Sequence, residues 1–425
     1  MDKSEIATWK AQWEHHLEDE LLPFWVKRCW DKEAGGFITQ YDSDGNLSDC
    51  NEKPMLAHMR TLYSLSLAVR YGHDKDGCIA KLAKQGLEYA LSVYWDNVYG
   101  GFYWMLDRKG QVINNKKIVY GQSFAIYALS TYAKTFHDVR ALSYAEKCFD
   151  LLQIYASETS KGGYWEMFTR DWRLCDGGSE GGDRKTLDVH MHLMEAYTAL
   201  FEASGKDIHR RKLEEVIDIL TNTMLDKQYK TGIPQFDKDW HVMPQIKFNV
   251  VWGMDRFDKA GAKPHSDNMS YGHNVELFWL LTDALGILAK PVEPYEETFR
   301  IVLDNTVKYG IDWKYGGVYV EGAADGHAVY DNAKEFWQQA ELLNGMLEAY
   351  LLFHDERYLD AFQNIHTFMM EKGINHEVGE WWPLLTREGK PMWTYMSNSW
   401  KANYHTIRCS VLCVNRLQRI LDLRK

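Results

Sequence analysis

The segment Asp96–Gly110, DNVYGGFYWMLDRKG, opens with a glycine-rich turn and closes with a polar turn. Between the turns lies a short run rich in aromatic residues, and this order is typical of a small β-hairpin. Five further segments resemble it, and they begin at Asp31, Ser160, Asp226, Trp313 and Asn375. Recurrence at a regular interval over 425 residues predicts a protein built from six repeats.

The intervals between the repeats have room for two helices each. With Gly35, Gly100, Gly162, Gly232, Gly316 and Gly379 as markers, the spacings are 65, 62, 70, 84 and 63 residues. Residues 209–225 carry a single apolar stripe, which suits an outer helix, whereas residues 121–133 are apolar or small on most sides, which suits an inner helix. We therefore predict an all-α fold, an (α/α)6 barrel with short hairpin excursions that forms one domain over residues 1–425. An open α-solenoid is the competing architecture.

Each repeat also places conspicuous polar groups in its apolar helix, 20 to 41 residues beyond the glycine marker. These groups are Arg60, Tyr120 with Gln122, His192, His273 with Glu276, Glu341, and His405 with Arg408. Equivalent positions of six inner helices point at one axial cavity in a closed toroid, but they spread along a concave surface in an open solenoid. The shared phase favours convergence on a single site.

The composition and net charge of the chain restrict the classes of molecule that the protein can bind. A net charge of −11 without Lys/Arg runs argues against a nucleic-acid or anionic-membrane surface, and a sugar-sized neutral ligand stays compatible. The N-terminal residues lack the apolar core of a signal peptide, and no apolar run approaches the roughly 18 residues of a membrane span, so we expect a cytoplasmic protein. Seven scattered cysteines without a CxxC pair indicate neither a disulfide framework nor a thiolate zinc site. The 17 Trp and 25 Tyr suit helix packing and sugar rings alike.

Four segments resemble the acylglucosamine 2-epimerase superfamily, which includes cellobiose 2-epimerases and mannose 2-epimerases. They are DVHMHLMEAYTAL (188–200), YGHNVELFWLL (271–281), EFWQQAELLNGMLEAY (335–350) and WKANYHTIR (400–408). They are similar to the family's H-x-H, GHxxE, W-x-Q-A-E and W-K-x-x-Y-H motifs, in the family's order. The likeness covers nearly the whole chain.

This resemblance implies an (α/α)6 barrel that epimerises a reducing sugar at C2 through an enediolate, without metal or cofactor. It implies that His273 and His405 are the catalytic acid/base pair. Arg60, His192, Glu276, Trp337 and Glu341 would line the pocket. We take Arg60 as a third catalytic residue, and we expect Tyr120, Gln122 and Trp400 to bind the sugar as well.

The residue types also fit that chemistry on their own. Epimerisation beside an aldehyde needs a base on one face, an acid on the other, and stabilisation of the oxyanion between them. The ordinary pKa of histidine, roughly 6.5, allows one imidazole to be neutral while another is protonated near neutral pH. Arginine supplies permanently charged donors to a developing enediolate. Two histidines and one arginine meet these needs.

Other functions stay open from the sequence. His190, His192 and His273 could hold a metal, although H-x-H on a helix directs the two rings to different sides. Glycoside hydrolases share this fold and need two carboxylates, which Glu276 with Glu341 or Asp188 could supply. A peptide-binding solenoid is a third class.

Two features of the sequence bear on the substrate: the departures from the motifs of cellobiose epimerases, and the longest interval between two glycine markers. DVHMH, GHNVE and YHTIR replace the NTHLH, GHDIE and YHNGR that are common in cellobiose epimerases, so we expect D-mannose and D-glucose to be interconverted. Cellobiose epimerisation and a ketose-forming mannose isomerisation are the alternatives. The extra chain at residues 247–270 resembles the pocket-covering loop of mannose 2-epimerases, with Trp252 and Asp255 expected to touch the sugar. We expect a monomer or a weak homodimer.

Overall fold

The computed structural model describes residues 2–243 and 267–424, whose helices lie in two concentric layers. The inner layer consists of α3 (Met55–Arg70), α5 (Val119–Phe136), α7 (Leu187–Ser204), α9 (Tyr271–Ile287), α11 (Phe336–Phe353) and α13 (Tyr404–Leu423). The outer layer consists of α1 (Lys3–His15), α2 (Leu22–Arg28), α4 (Cys78–Tyr89), α6 (Val139–Leu151), α8 (Asp207–Asn222), α10 (Glu296–Asn305) and α12 (Glu356–Phe368). Inner and outer helices thus alternate along the chain.

The inner helices close into a ring. Each packs on the next in the order α3, α5, α7, α9, α11, α13, and α13 packs back on α3. The N-terminal helix α1 packs on α13 and so supplies the outer partner of the last inner helix. The predicted (α/α)6 barrel is confirmed, and the open solenoid is excluded because its first and last helices would not meet.

Short strands close the same ring at one end of the barrel. They are β1 (Tyr41–Asp42), β2 (Glu52–Pro54), β3 (Met105–Asp107), β4 (Val112–Asn114), β5 (Lys117–Ile118), β6 (Met167–Phe168), β7 (Arg184–Thr186), β8 (Gln235–Asp237), β9 (Asn268–Ser270), β10 (Glu321–Ala323), β11 (Val329–Asp331), β12 (Lys334–Glu335), β13 (Ile374–Asn375), β14 (Glu380–Trp381), β15 (Leu384–Leu385) and β16 (Tyr395–Ser397). The strand before each inner helix pairs antiparallel with a strand of the following hairpin: β2 with β3, β5 with β6, β7 with β8, β9 with β10, and β12 with β15. The strand β16 pairs with β1, which joins the last repeat to the first.

The two layers differ in burial as the sequence patterns predict. In α3 every residue from Met55 to Ala68 is buried, whereas α4 buries only Ile79, Ala83, Gly86 and Leu87. Inner helices are packed on several sides, so polar side chains on them must find partners inside the protein. Within the described ranges, no helix is both long enough and apolar enough to cross a bilayer.

The glycine turns are tight because backbone and aromatic rings approach closely there. Gly100 and Gly101 have φ of 70° and 72°, in the left-handed region that glycine adopts without strain. A Cβ on Gly101 would lie 2.6 Å from the Trp172 ring of the next hairpin. The paired glycines of the repeats are therefore explained by packing between repeats as well as by the turn.

A buried polar side chain on the inner helix clamps each of five turns. It accepts the backbone N–H of a residue at the end of the turn, with N···acceptor distances of 2.8 to 3.4 Å. The pairs are His58 with Phe37, Gln122 with Phe102, His190 with Tyr164, Asn274 with Gly232, and Gln339 with Val318. The predicted sugar ligand Gln122 belongs to this clamp, since its Nε2 also donates to the Phe102 carbonyl at 2.8 Å.

The clamp histidines should make the fold sensitive to acid. His190 Nε2 accepts from Tyr164 N–H and Nδ1 lies 2.8 Å from the Thr186 carbonyl, so the ring is neutral with its proton on Nδ1. Burial lowers the pKa of His190 from 6.5 to about 4. Because the unfolded chain binds this proton first, stability is lost as pH falls from about 6.5 to 4, by roughly 3 kcal/mol for this residue.

Because Gln122 and Gln339 form the clamp in their own repeats, glutamine is the matched replacement for His190. We expect His190→Gln to keep the fold at pH 7 and to lower the pH midpoint of acid unfolding, since glutamine accepts the same N–H without titrating. His190→Ala should cost roughly 1–3 kcal/mol at pH 7 because Tyr164 N–H loses its acceptor. Circular dichroism during acid titration measures both effects. An unchanged acid midpoint in His190→Gln would contradict this account.

Candidate active site

The side chains two residues beyond the clamp positions point into the barrel axis. They are Arg60, Phe124, His192, Glu276 and Glu341, and in the sixth repeat Arg408 occupies the corresponding place. The equivalent position of the second repeat is thus Phe124, and the predicted Tyr120–Gln122 pair divides: Tyr120 faces the axis and Gln122 holds the turn. A shared register on the inner helices is what brings side chains from all six repeats together.

A cavity opens among these side chains. It is lined by Arg60, Tyr120, Asp188, His192, His273, Glu276, Phe336, Trp337, Trp400 and His405. Eight of these ten residues are among the predicted site residues. Asp188 was considered in the sequence only as a hydrolase carboxylate, and Phe336 was not predicted.

Arg408 forms the charged floor of the cavity. Its side chain is fully buried, and Nη2 donates to Glu276 Oε1 at 2.9 Å and to Glu341 Oε1 at 2.7 Å. Nη1 donates to Glu195 and to the Tyr404 hydroxyl. One permanent cation therefore holds three carboxylates from three different inner helices, which fixes the geometry beneath the site.

His405 is positioned from below by this floor. Its Nδ1 lies 2.6 Å from Glu341 Oε1, which leaves Nε2 as the nitrogen for a ligand in the cavity. Burial lowers the pKa of His405, and the nearby Arg408 and Arg60 charges lower it further. Burial alone would raise the pKa of Glu341, but Arg408 and the His405 hydrogen bond outweigh it and lower that pKa. His405 is thus a neutral imidazole that donates Nδ1–H to a carboxylate, the state required of a general base.

Glu276 behaves differently from Glu341 although both bind Arg408. Its pKa is raised, first by burial and then by the negative charge of Glu341. Two carboxylates that share one guanidinium cannot both ionise easily in a buried site. Glu276 therefore carries the proton of this pair.

His192 is held as a cation. Its Nδ1 lies 2.9 Å from Glu195 Oε2 and its Nε2 lies 3.4 Å from Asp188 Oδ1. Burial lowers its pKa, but the hydrogen bonds to Asp188 and Glu195 outweigh this and raise the pKa to about 9. Both ring nitrogens face carboxylates, so His192 contributes positive charge to the cavity wall.

Arg60 supplies a second fixed cation, enclosed by rings. Nη2 donates to the Tyr120 hydroxyl at 2.9 Å and Nη1 to the Trp400 carbonyl at 3.1 Å. The guanidinium carbon lies 4.5 Å from the centre of the Phe124 ring, and the Tyr120 and Trp400 rings stack with 5° between their planes. Hydrogen bonds and cation–π contacts together hold the arginine in one orientation.

His273 lies beside the Trp337 indole, as His405 does. The Trp337 ring centre lies 4.7 Å from that of His273 and 5.9 Å from that of His405. The Ser270 hydroxyl caps the helix at His273 N–H, 3.3 Å away, and the imidazole is 19% exposed, which leaves it open to the cavity. The polar start of α9 therefore faces the cavity and not the core.

The predicted residues thus divide into three groups. Nine of the predicted residues lie at the cavity or directly beneath it: Arg60, Tyr120, His192, His273, Glu276, Trp337, Glu341, Trp400 and His405. Gln122 lies at a turn clamp. Trp252 and Asp255, with the expected covering segment, lie outside the described residues.

Glu195 and Tyr404 complete the floor and were not predicted. Glu195 lies three residues after His192 on α7, so a same-face helical spacing was the available signal. Tyr404 precedes His405 in the WKANYH segment, and its hydroxyl donates to Glu195 at 2.7 Å. Their function depends on contacts between α7 and α13, which are 209 residues apart in the chain for this pair.

One group of cavity residues has side chains of the types that bind metal ions. Ligand atoms of Glu276, Glu341 and His405 lie within 4.8 Å of one another. Arg408 Nη2 already donates to both carboxylates, and a metal ion there would have to displace a buried guanidinium. His190 is tied to backbone groups through both nitrogens, so it does not join His192 and His273.

Comparison with known proteins agrees with this geometry. The model of the N-acylglucosamine 2-epimerase family matches residues 36–409. The chain belongs to this family. It is 28% identical to a cellobiose 2-epimerase of Bacteroides fragilis over 96% of this chain and 98% of that protein. It is 25% identical to a D-mannose isomerase of Marinomonas mediterranea over 93% of this chain and 94% of that protein.

The fold agrees with solved members of the family. The structure of a cellobiose 2-epimerase from Bacillus thermoamylovorans superposes with a TM-score of 0.85 at 27% identity, covering 96% of this chain and all of that one. The protein is therefore a carbohydrate isomerase of the N-acylglucosamine 2-epimerase family. The cavity at the axis of the barrel is its candidate active site.

Proposed function

We propose that the protein interconverts D-mannose and D-glucose by removing and returning the C2 proton. The observation that carries the proposal is the pair of imidazoles, His273 and His405, which both lie beside the Trp337 indole in a cavity that also contains an arginine enclosed by aromatic rings. A two-base epimerisation needs this set of groups and a wall that excludes water.

The proposed reaction follows from the charge states. One imidazole takes the proton from C2, and the C2–H electron pair becomes part of an enediolate whose negative charge falls on the sugar oxygens. Arg60 donates to those oxygens, and the His192 cation lowers the energy of the same charge. The other imidazole, which is protonated at the start of the step, then gives its proton to C2 from the opposite face, and the two rings exchange these states when the sugar reacts in the other direction. When His405 is the base, Glu341 holds it in the tautomer with Nε2 as the acceptor.

The aromatic lining of the cavity supports a sugar ring as the ligand. Stacked aromatic rings at Tyr120 and Trp400 suit the apolar face of one pyranose or of its open-chain form.

Cellobiose 2-epimerisation is the second candidate, and the relatives favour it. The cellobiose 2-epimerase of Bacteroides fragilis matches over nearly its whole length. The D-mannose isomerase of Marinomonas mediterranea also favours an aldose–ketose reaction, which shares the enediolate and differs in the carbon that regains the proton. All three candidates use the same imidazole pair.

One incubation distinguishes the three reactions. The protein is incubated separately with mannose, glucose, fructose and cellobiose in deuterated water, and products are resolved by chromatography and NMR. We expect mannose and glucose to interconvert with deuterium at C2 of the product, and cellobiose to react more slowly. Faster epimerisation of cellobiose would overturn the monosaccharide proposal, and fructose as the main product would favour the isomerase. Product without deuterium would point to a hydride shift and sink the two-base scheme.

A further inference from the structure

Asp188 lies between two histidines of the cavity and has no assigned part in the scheme above. It is the second residue of α7, its side chain is 8% exposed, and it lines the cavity. Its Oδ1 lies 3.4 Å from His192 Nε2 and 3.7 Å from His273 Nε2. A single carboxylate oxygen is thus close to His192, whose pKa is raised, and to His273, one of the two proposed proton-transfer residues.

The surroundings show why this charge matters. Glu195 also binds His192, so the His192 cation already has one carboxylate partner without Asp188. Glu276, on the same helix as His273, accepts from Arg408, and burial raises its pKa. Glu341 is occupied by Arg408 and His405. Among the described residues, Asp188 is therefore the carboxylate that lies within 4 Å of a His273 ring nitrogen.

We propose that Asp188 stabilises the imidazolium that forms when His273 takes the C2 proton. This inference rests on the proposed function. Proton abstraction creates two charges, a negative enediolate and a positive His273. Arg60 and His192 offset the first, and the Asp188 carboxylate offsets the second while remaining ionised. An opposite charge within about 4 Å favours the charged form of a titrating group.

The same contact predicts the direction of a pH effect. The other charged and titratable groups that share this cavity are His192 on α7, Glu276 on α9, His405 on α13 and Arg60 on α3. None of these is removed by a change at residue 188. Loss of the Asp188 charge weakens proton binding by His273, so the base stays neutral to lower pH. The acidic limb of kcat/KM should then move to lower pH.

The test compares Asp188→Asn with Asp188→Glu, both assayed for mannose epimerisation and for C2 exchange in deuterated water. Asparagine has the same shape without the charge, and it is the residue in the NTHLH segment common in cellobiose epimerases. We expect Asp188→Asn to lower kcat at least tenfold and to move the acidic limb of kcat/KM down by about one pH unit. Asp188→Glu keeps the charge, so its acidic limb should stay near that of the wild type even if kcat falls.

The outcomes separate the two proposals. A lower kcat in Asp188→Asn with an unmoved acidic limb would show that Asp188 only shapes the cavity, and it would overturn the inference. An unchanged kcat would do the same. If Asp188→Asn does not fold, Asp188→Ser must move the limb in the same direction, and an unmoved limb there is equally adverse. Failure of the wild type to exchange C2 hydrogen with any of the four sugars would instead refute the proposed function.

Discussion

His405→Ala is expected to lower kcat for epimerisation by roughly 10²–10⁴-fold, the range for loss of a positioned general acid or base. The physical reason is that Nε2 of this buried neutral ring is the nitrogen directed to the cavity, while Nδ1 is fixed by Glu341. Alanine leaves the Glu341–Arg408 pair in place, so the floor should persist and the loss should appear mainly in kcat. Steady-state rates with mannose and with glucose measure the effect.

Exchange of the C2 hydrogen with solvent, measured without turnover, tests His405→Ala more directly than the steady-state rate does. If His273 and His405 act on opposite faces, removal of His405 leaves one base. That base should still exchange the C2 hydrogen of one epimer with solvent, slowly and without producing the other epimer. His273→Ala should instead exchange the C2 hydrogen of the other epimer. The control is His327→Ala, whose imidazole is 56% exposed and is not among the residues that line the cavity, and which should retain wild-type rates. Near-normal turnover in His405→Ala would remove this residue from the mechanism.

Arg408→Met is expected to reduce the free energy of unfolding by roughly 3–5 kcal/mol, because breaking a buried ion pair leaves uncompensated charges. Glu195 and Glu341 would each remain buried after losing the same cation. The loss should shrink as pH falls below neutral. In the variant, burial favours the protonated carboxyls, so the folded state binds protons before the unfolded chain does. Chemical denaturation at several pH values measures both effects.

Arg70→Met is the matched control. Arg70 also makes a two-point contact with one carboxylate, Glu202, but the two side chains are 32% and 20% exposed. Exposed pairs contribute about 0–1 kcal/mol, so this variant should change stability little and without marked pH dependence. If Arg408→Met lowered the free energy of unfolding as little as Arg70→Met does, this would contradict the view that Arg408 holds the floor of the cavity together.

The fold was accessible from the sequence because its information is local and repeated. Each hairpin is encoded within about fifteen residues, and helix amphipathicity is visible within a single window. Repetition then multiplies a weak local signal, as in the six segments with paired or single glycines. Ring closure was the inference with the least local support, and it depends on β16 pairing with β1 and α13 packing on α3.

The axial position of a candidate residue could be predicted where the direction of its side chain follows from helix register. Arg60, His192 and Glu341 share one register with Arg408, and all lie at the axis. Gln122 lies at the turn because two residues along a helix rotate a side chain by about 200°, toward the glycine turn of its own repeat. The polar character of Gln122 satisfies a buried backbone N–H, a need that the sequence does not display.

The sequence by itself determined the six-repeat barrel, the inner register and the histidine pair, because periodicity and residue type are properties of short segments. Only the tertiary structure decided the ionisation of these groups. The pKa of His192 is raised and that of His405 is lowered, although both are buried histidines with carboxylate neighbours. The difference comes from which charges lie on the other helices: two carboxylates at His192, but two arginines and one carboxylate at His405. Electrostatic energies depend on distances between residues far apart in the chain, and folding alone sets those distances.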